Sequence, residues 1–389
     1  MPFNFRKFVK FIYISLFKSK GTNYRLTPKR IGWLMLLLTL FPLLELVTWF
    51  GFLLDDIFFR EYRQERIEQP FFIIGNPRSG TTFLHRLLAK DEETFTSMQM
   101  WEILFAPSVT QRKIVQALAA LDRWLGSPMR RLVAKLEQWW QGWNTMHKMA
   151  LRVPEEDQYV LVHIWSTLVI WTTSAILEEA GPYTYFDAAM PEAEKERILS
   201  FYEGCIKRHL YAHSGGRKPA KHYLSKNPSA SPKVDALYEY FPDAKIIYLA
   251  RNPLDVIPSY ISLTDSEWRI LGDPVEEYGC RDYVLDMARH WYTYPLERLE
   301  QVPQASYIVV KLDELASDAE RAVADIYARF GLDISPAFAK VLREEAEKAR
   351  DHQSRHEYSL EEMGLTRERI VADYKDVFER FDFDTRDEG

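Results

Sequence analysis

The chain has 389 residues, an ordinary globular composition with 47% hydrophobic residues, and a net charge of −6. Its length allows two domains or one large α/β domain. The first 30 residues carry eight Lys or Arg and no Asp or Glu, so the remainder carries −14, because −6 less 8 is −14. Such an acidic body argues against a nucleic-acid partner, which needs a basic face.

The first segment predicts an association with a membrane surface. Residues 3–17 interleave Phe, Val, Ile and Leu with Arg6, Lys7 and Lys10, which is typical of a basic amphipathic helix on an anionic surface. The apolar run Ile31–Leu54 is long enough to span a bilayer. It is not a secretory signal peptide, because it begins late and lacks a small-residue cleavage site.

Two residues argue against a simple transmembrane span. Pro42 is expected to kink the helix, and Glu45 would lie near the middle of the membrane, where an acid is unfavourable. Three alternatives remain: a single span, a kinked helix or shallow hairpin in one leaflet, or a helix buried in the globular fold. We favour the one-sided arrangement. The chain is therefore divided into an anchoring segment, residues 1–56, and a catalytic domain, residues 57–389.

A first phosphate-binding pattern follows the anchor. Phe71–Ile74 is a continuous apolar run, as in a strand covered on both faces. Gly75 and Gly80 allow a tight turn, and a helix with Thr81 and Thr82 at its start follows, where free N–H groups favour an anion. The glycine spacing is that of a P-loop, but Thr81 replaces the usual lysine and the cation is Arg78. This departure argues against an ordinary kinase or ATPase, and a purely structural turn is the alternative.

The body of the chain alternates helices with apolar strands. Helices are expected over residues 111–141, over 193–211 and over 319–330, with an apolar helix inside 153–180 after the acids Glu155 and Glu156. Residues 238–248 are expected to contain the end of a helix, a turn and a buried strand, and a second strand is expected over 307–310. This order predicts an α/β fold with a P-loop-like parallel sheet flanked by helices, and a ligand at the carboxyl ends of the strands.

A second phosphate-binding pattern lies at the end of the strand near residue 250. Arg251 follows an apolar run, and Ser259 comes eight residues later. Two such patterns with different polar groups indicate a nucleotide phosphorylated at two positions.

Together these motifs resemble the sulfotransferases that use 3′-phosphoadenosine 5′-phosphosulfate (PAPS). Gly75-Asn76-Pro77-Arg78-Ser79-Gly80-Thr81-Thr82 resembles their 5′-phosphosulfate loop, and Arg251 with Ser259 resembles their 3′-phosphate motif. Ser225-Lys226-Asn227-Pro228 is similar to the lysine segment of the bacterial branch that includes relatives of the tyrosylprotein sulfotransferases. The resemblance covers residues 70–385. It implies that PAPS is the co-substrate, held by Arg78, Ser79, Gly80, Thr81, Thr82, Arg251 and Ser259.

The chemistry that the resemblance implies needs a base and cations. Glu102 is our candidate for the general base, because the similar branch carries its catalytic glutamate after the loop helix and because Trp101 and Ile103 predict an apolar setting that would raise its pKa. A surface or salt-bridged role is the alternative. Lys226 and Arg78 would stabilise the transferring group. His147 is the reserve base, and the pair Glu155 and Glu156 comes third.

No metal is needed in principle, and the histidines lack metal-ligand spacing. Cys205 and Cys280 form no disulfide framework and no Asn-x-Ser/Thr sequon is present, so a catalytic domain on the cytosolic face is expected.

The sequence thus predicts a membrane-associated, PAPS-dependent sulfotransferase of bacterial type whose acceptor is a lipid alcohol, such as a sterol or hydroxylated isoprenoid. A glycan or peptide acceptor is the alternative within the class. A P-loop kinase and a membrane-bound scaffold with an inactive nucleotide site are alternatives outside it.

Overall fold

A central parallel sheet organises the computed structural model, which describes residues 2–132, 135, 151–214, 221–350 and 359–385. Its strands are β1 (Phe71–Gly75), β2 (Phe95–Thr96), β3 (His222–Lys226), β4 (Lys245–Ala250) and β5 (Tyr307–Lys311), in the order β2-β3-β1-β4-β5. Every pairing is parallel. The predicted α/β fold is therefore confirmed.

Both faces of the sheet are covered by helices. Phe72 and Ile74 of β1 belong to one apolar core, and Phe71 and Ile73 belong to a second core on the opposite face. All five residues of β1 are buried, which explains why the strand reads as an unbroken apolar run.

Helices supply most of the remaining described residues. The α-helices comprise Phe5–Phe17, Pro28–Phe58, Thr81–Leu88, Met100–Leu104, Val109–Trp124, Leu168–Thr173, Gly181–Thr184, Phe186–Ala189, Glu192–Ser214, Val234–Tyr240, Pro253–Leu271, Arg281–Leu299, Leu312–Ser317, Ala319–Phe330, Pro336–Arg350, Arg367–Asp373 and Lys375–Phe381. The 3-10 helices comprise Arg60–Gln64, Asp157–Ile164, Leu177–Glu179, Pro228–Lys233 and Gln304–Ser306.

The long apolar helix Pro28–Phe58 packs one face against the rest of the molecule and runs through Pro42 without interruption. Near its start, Trp33 Nε1 donates to the carbonyl of Ile270 at 3.0 Å. In its middle, Glu45 is 7% exposed, and its Oε1 lies 2.7 Å from His163 Nδ1. The carboxylate of Glu45 therefore points into the protein, which agrees with the sequence argument that an acid at this position is unfavourable in lipid.

The other face of this helix is apolar and exposed. By length and composition the helix could cross a membrane, since its mean hydropathy is 2.0 over the best 18-residue window and only 22% of that window is buried. Its exposed side chains include Met35, Leu43, Leu46, Phe50 and Phe58. The predicted apolar N-terminal helix is therefore present.

One predicted helix is wrong. Residues 153–180 form a 3-10 helix, the short helix Leu168–Thr173 and a second 3-10 turn, with Trp165 at a φ of 52° between the first two. The many apolar side chains there are buried in the core. Core packing therefore accounts for an apolar run that sequence alone reads as one helix.

Candidate active site

The phosphate-binding pattern forms a tight loop between β1 and the helix Thr81–Leu88. Gly75 has a φ of 139°, and a Cβ placed there would lie 2.4 Å from the carbonyl oxygen of Leu249. Gly80 has a φ of 82°, and its Cβ would lie 2.4 Å from Leu312 Cδ1. Only glycine fits both positions, so the loop is pressed against β4 and against the segment after β5.

The loop carries hydrogen-bond donors that could bind an anion. The hydroxyl of Ser79 is buried and has no hydrogen-bond partner among the described residues. Gly80 caps the following helix without a side-chain hydrogen bond, so Thr81 and Thr82 begin a helix whose first N–H groups need acceptors. A buried hydroxyl donor beside a helix N-terminus fits a phosphate oxygen.

Arg78 joins the two phosphate-binding patterns. Its φ is 72°, and its Nε donates to Ser259 Oγ at 2.9 Å. Arg251 Nη1 donates to the backbone carbonyl of Arg78 at 2.9 Å. The two patterns lie 173 residues apart in the chain, yet the fold places them side by side because β1 and β4 are neighbours. These residues therefore form one site.

Lys226 lies at the same edge of the sheet. It ends β3 and is paired in register with Ile73 of β1. Its side chain is fully buried, and Nζ lies 3.2 Å from Glu155 Oε1 and 2.7 Å from Glu156 Oε1. The cation from the predicted lysine segment is thus paired with the acids that the sequence ranked third as base.

His85 is a residue of this region that sequence reasoning missed. It lies on the loop helix, is fully buried, and its Nε2 is 3.2 Å from Ser97 Oγ. Burial, with the positive charges of Lys226 and Arg86, lowers the pKa of His85 to about 3. The ring is therefore neutral at pH 7. The sequence signal that could have identified His85 is its position four residues after Thr81, which places it on the apolar face of the loop helix.

Glu102 lies in a different set of contacts. Its Oε2 accepts a hydrogen bond from Gln99 N at 2.9 Å, and its Oε1 lies 2.7 Å from His213 Nε2. Arg112 Nε is 3.8 Å from Oε1, and His209 Nδ1 is 3.7 Å from Oε2.

The expected pKa of Glu102 is wrong in direction. Burial raises it, but the charge of Arg112 and the hydrogen bond with His213 outweigh burial and hold the pKa below its usual value. Trp101 and Ile103 suggested an apolar setting, whereas the cation comes from the next helix, Val109–Trp124, and the imidazoles come from the distant helix Glu192–Ser214. His147, the reserve base, lies outside the described residues.

Comparison with known protein families identifies the family to which this chain belongs. Residues 70–336 match the model of the sulfotransferase family. The chain belongs to this family. The matched range includes both phosphate-binding patterns and Lys226, so the predicted family and enzyme class, a sulfotransferase, are confirmed.

Relatives of this sulfotransferase occur in mycobacteria. It is 26% identical over 324 residues to the omega-hydroxy-beta-dihydromenaquinone-9 sulfotransferase Stf3 of Mycobacterium bovis, covering 82% of this chain and 76% of that protein. The same values hold for Stf3 of Mycobacterium tuberculosis.

Two solved mycobacterial structures share the fold. The crystal structure of sulfotransferase STF9 from Mycobacterium avium superimposes with a TM-score of 0.64 and 20% identity, covering 86% of this chain and 82% of that one. That of STF1 from Mycobacterium tuberculosis gives 0.58 and 22%, covering 82% and 80%.

A pocket opens beside the phosphate loop of this sulfotransferase. Its cavity volume is about 80 Å³, and Pro77 of the loop and Glu156 form part of its wall. The rest of the wall combines polar residues with apolar or aromatic ones, and the latter include Tyr159, Leu168, Val169, Tyr260, Leu263 and Trp291. Glu267 also lines it, and burial, reinforced by the negative charge of Glu156, raises the pKa of Glu267 to about 7.

Glu102, His209 and His213 also form a cluster with the composition of a metal site. One ligand atom from each lies within 4.8 Å of the others. However, Arg112 Nη1 lies 3.2 Å from His209 Nδ1, and the other ring nitrogen lies 2.8 Å from Thr96 Oγ1. A buried guanidinium thus lies next to the carboxylate, and the four side chains form a network of ion pairs and hydrogen bonds.

Proposed function

We propose that this sulfotransferase transfers the sulfuryl group of PAPS to a hydroxyl of a membrane lipid. The observation that carries the proposal is the junction at Arg78, where the phosphate loop, Arg251 and Ser259 meet within hydrogen-bond distance. A donor with phosphate groups at two positions fits this junction, because it offers two adjacent sets of cationic and hydroxyl groups. A nucleotide phosphorylated at the 5′ position alone would use one of them.

The loop and Arg251 have separate roles in this proposal. Ser79, Thr81 and Thr82 hold the 5′-phosphosulfate end, with Arg78 providing charge. Arg251 and Ser259 hold the 3′-phosphate. PAPS supplies the activated sulfuryl group, and its S–O bond to the 5′-phosphate breaks while the acceptor oxygen forms a new S–O bond.

Lys226 and Glu156 are proposed to act on the transferring group and the acceptor. The Nζ of Lys226 stabilises negative charge on the sulfuryl or leaving oxygens. Glu156 lines the pocket and contacts Lys226 at 2.7 Å, so it is placed to take the acceptor proton. Glu102 remains the alternative base, but its lowered pKa and its contacts with Arg112 and His213 favour a structural role.

The lipid acceptor is supported by the pocket and by the relatives. The pocket beside Pro77 offers apolar and aromatic side chains, such as Leu168, Val169 and Trp291, together with polar ones, which suits the hydroxyl-bearing end of a lipid. The similar Stf3 proteins are sulfotransferases of omega-hydroxy-beta-dihydromenaquinone-9. A hydroxylated isoprenoid is therefore our proposed acceptor class.

Membrane association is proposed to be one-sided, with the catalytic domain on the cytosolic face. The helix Pro28–Phe58 is bound to the body at its start through Trp33, in its middle through Glu45 and at its end through Asp55, whose Oδ2 lies 3.1 Å from Arg208 Nε. A helix held along its length cannot cross a bilayer without carrying the body into the lipid. Its exposed apolar face fits an orientation in the membrane plane.

The deciding experiment supplies PAPS and a membrane-lipid extract to the full-length protein in lipid vesicles, followed by mass spectrometry of sulfated products. We expect a sulfated lipid with wild type and none with Lys226→Ala. Calorimetry should show binding of adenosine 3′,5′-bisphosphate in preference to ATP. Preference for ATP would support a kinase, and a sulfated glycan or peptide without a sulfated lipid would overturn the proposed acceptor.

A further inference from the structure

A second apolar surface lies outside the N-terminal segment, on the helix Val109–Trp124 and the residue after it. Ile114, Leu118, Leu121 and Leu125 follow one another at helical spacing and form a single stripe. Their exposed fractions are 53%, 59%, 50% and 58%. Such a stripe normally faces a core, so this helix exposes the face that is usually buried.

The exposed charges of this segment are positive. Lys113, Arg123, Arg130 and Arg131 are exposed, whereas Asp122 is the one acid between residues 109 and 132. Asp122 is buried, and its carboxylate accepts hydrogen bonds from the N–H groups of residues 129 and 130 at 2.7 and 3.1 Å. An exposed apolar stripe on a segment whose exposed charges are all basic matches the anionic surface of a lipid bilayer.

Trp124 adds an aromatic group at the end of the stripe. Its side chain is 81% exposed, an unusually large exposure for tryptophan. Tryptophan prefers the boundary between the head groups and the acyl chains, where its ring is in contact with lipid and its N–H can meet water.

This surface is fixed to the end of the long apolar helix. Asp55 accepts hydrogen bonds from Val109 N at 2.9 Å and from Thr110 N at 2.8 Å. At Gly51 a Cβ would lie 2.5 Å from Ser108 Oγ, so the two backbones approach closely. The helix Val109–Trp124 therefore begins beside the C-terminal end of the helix Pro28–Phe58, and the exposed side chains Phe50 and Leu53 lie near this junction.

We propose that residues 109–132 form a second membrane-contacting element, which inserts its apolar stripe into the head-group region of an anionic bilayer. It extends the proposed one-sided membrane association, which rests on the helix Pro28–Phe58 alone. Two elements joined at Asp55 and Gly51 define the orientation of the body on the membrane more closely than one helix does.

Vesicle flotation of the full-length protein tests this proposal. The double variant Leu118→Glu with Leu121→Glu places two carboxylates in the stripe, and both sites are exposed, so folding should be retained. On vesicles of phosphatidylcholine with phosphatidylglycerol we expect about tenfold or more weaker binding than wild type. The matched control is Ala328→Glu. Ala328 is exposed on the helix Ala319–Phe330, which packs on the face of the sheet opposite to the core that contains the long N-terminal helix, so this variant should bind vesicles as wild type does.

Two further variants separate this proposal from the proposed one-sided association. Leu43→Glu with Leu46→Glu places the same charges on the long helix. If these reduce vesicle binding while the Leu118 and Leu121 pair does not, the second element is refuted and the first stands. If neither pair reduces binding, both proposals fail. Binding of adenosine 3′,5′-bisphosphate should be unchanged in every variant, which checks the fold.

Trp124 provides an independent measurement. Brominated lipids quench tryptophans that lie at the depth of the bromine atoms, so Trp124→Phe should reduce the quenched fraction of the emission. Equal quenching in wild type and variant would contradict insertion. If sedimentation instead shows a dimer that dissociates in the Leu118 and Leu121 variant, a second copy of this chain covers the stripe and the proposal is overturned.

Discussion

The substitution Glu267→Gln should remove a pH-dependent loss of stability that arises in the proposed acceptor pocket. Burial and, secondarily, the charge of Glu156 raise the pKa of Glu267 from 4.5 to about 7. The folded state therefore prefers the protonated carboxyl. The stability that this preference contributes is fully present below the unfolded pKa and is lost as the pH rises through about 7.

The magnitude follows from the size of the pKa displacement. A change from 4.5 to about 7 corresponds to about 3 kcal/mol when the pH is above both values. The free energy of unfolding of wild type, relative to Glu267→Gln, should therefore fall by about 2–3 kcal/mol between pH 5 and pH 8. Glutamine keeps the shape and hydrogen bonding of the neutral acid but has no proton to lose.

Urea unfolding in a mild detergent at several pH values measures this difference. The matched control is Glu277→Gln, because Glu277 has a 77% exposed side chain that pairs with Arg269 at the surface. This control should keep the pH dependence of wild type. The reasoning is refuted if Glu267→Gln and wild type lose stability in parallel as the pH rises, since the carboxyl would then titrate alike in the folded and unfolded states.

Three other predictions concern the donor site, the base and the membrane. Arg251→Ala should weaken adenosine 3′,5′-bisphosphate by about 1.5–3 kcal/mol in calorimetry and hardly affect a nucleotide without the 3′-phosphate; equal losses would contradict its role. Glu156→Gln should lower kcat by about 10²–10⁴-fold with nucleotide affinity retained, whereas Glu102→Gln should mainly lower the free energy of unfolding. A larger loss of kcat in a folded Glu102→Gln protein would make Glu102 the base. Cysteines at Lys20 and Glu344 should be labelled from the same side of the membrane, and labelling from opposite sides would establish a span.

Local sequence determined the elements that rest on short patterns. The strand Phe71–Gly75, the loop with Gly75 and Gly80, and the helix Ala319–Phe330 that ends before Gly331 all follow from apolar runs and glycine positions. These features can be predicted because consecutive residues show the conformational preferences and hydrophobic pattern of each element. The family followed for the same reason, because each of its two phosphate-binding patterns lies within one short stretch of sequence.

Strands with weak patterns were not predicted. β2 has two residues, and β3 reads His222-Tyr223-Leu224-Ser225-Lys226, so neither is a clear apolar run. β3 is a strand because β1 and β2 pair with it on both sides, and Lys226 can be buried there because Glu155 and Glu156 compensate its charge. Pairings between distant segments cannot be predicted from one segment.

The electrostatic properties of the acids were decided by tertiary contacts alone. Glu102 and Glu267 are both acids next to a tryptophan in sequence, yet the pKa of Glu102 is lowered and that of Glu267 is raised. Burial raises both pKa values, but the guanidinium of Arg112 and the hydrogen bond with His213 outweigh it at Glu102, whereas the carboxylate of Glu156 adds to it at Glu267. Charge interactions depend on distance in space, so the sequence by itself determined which acids exist, and only the folded chain decided which of them holds a proton at neutral pH.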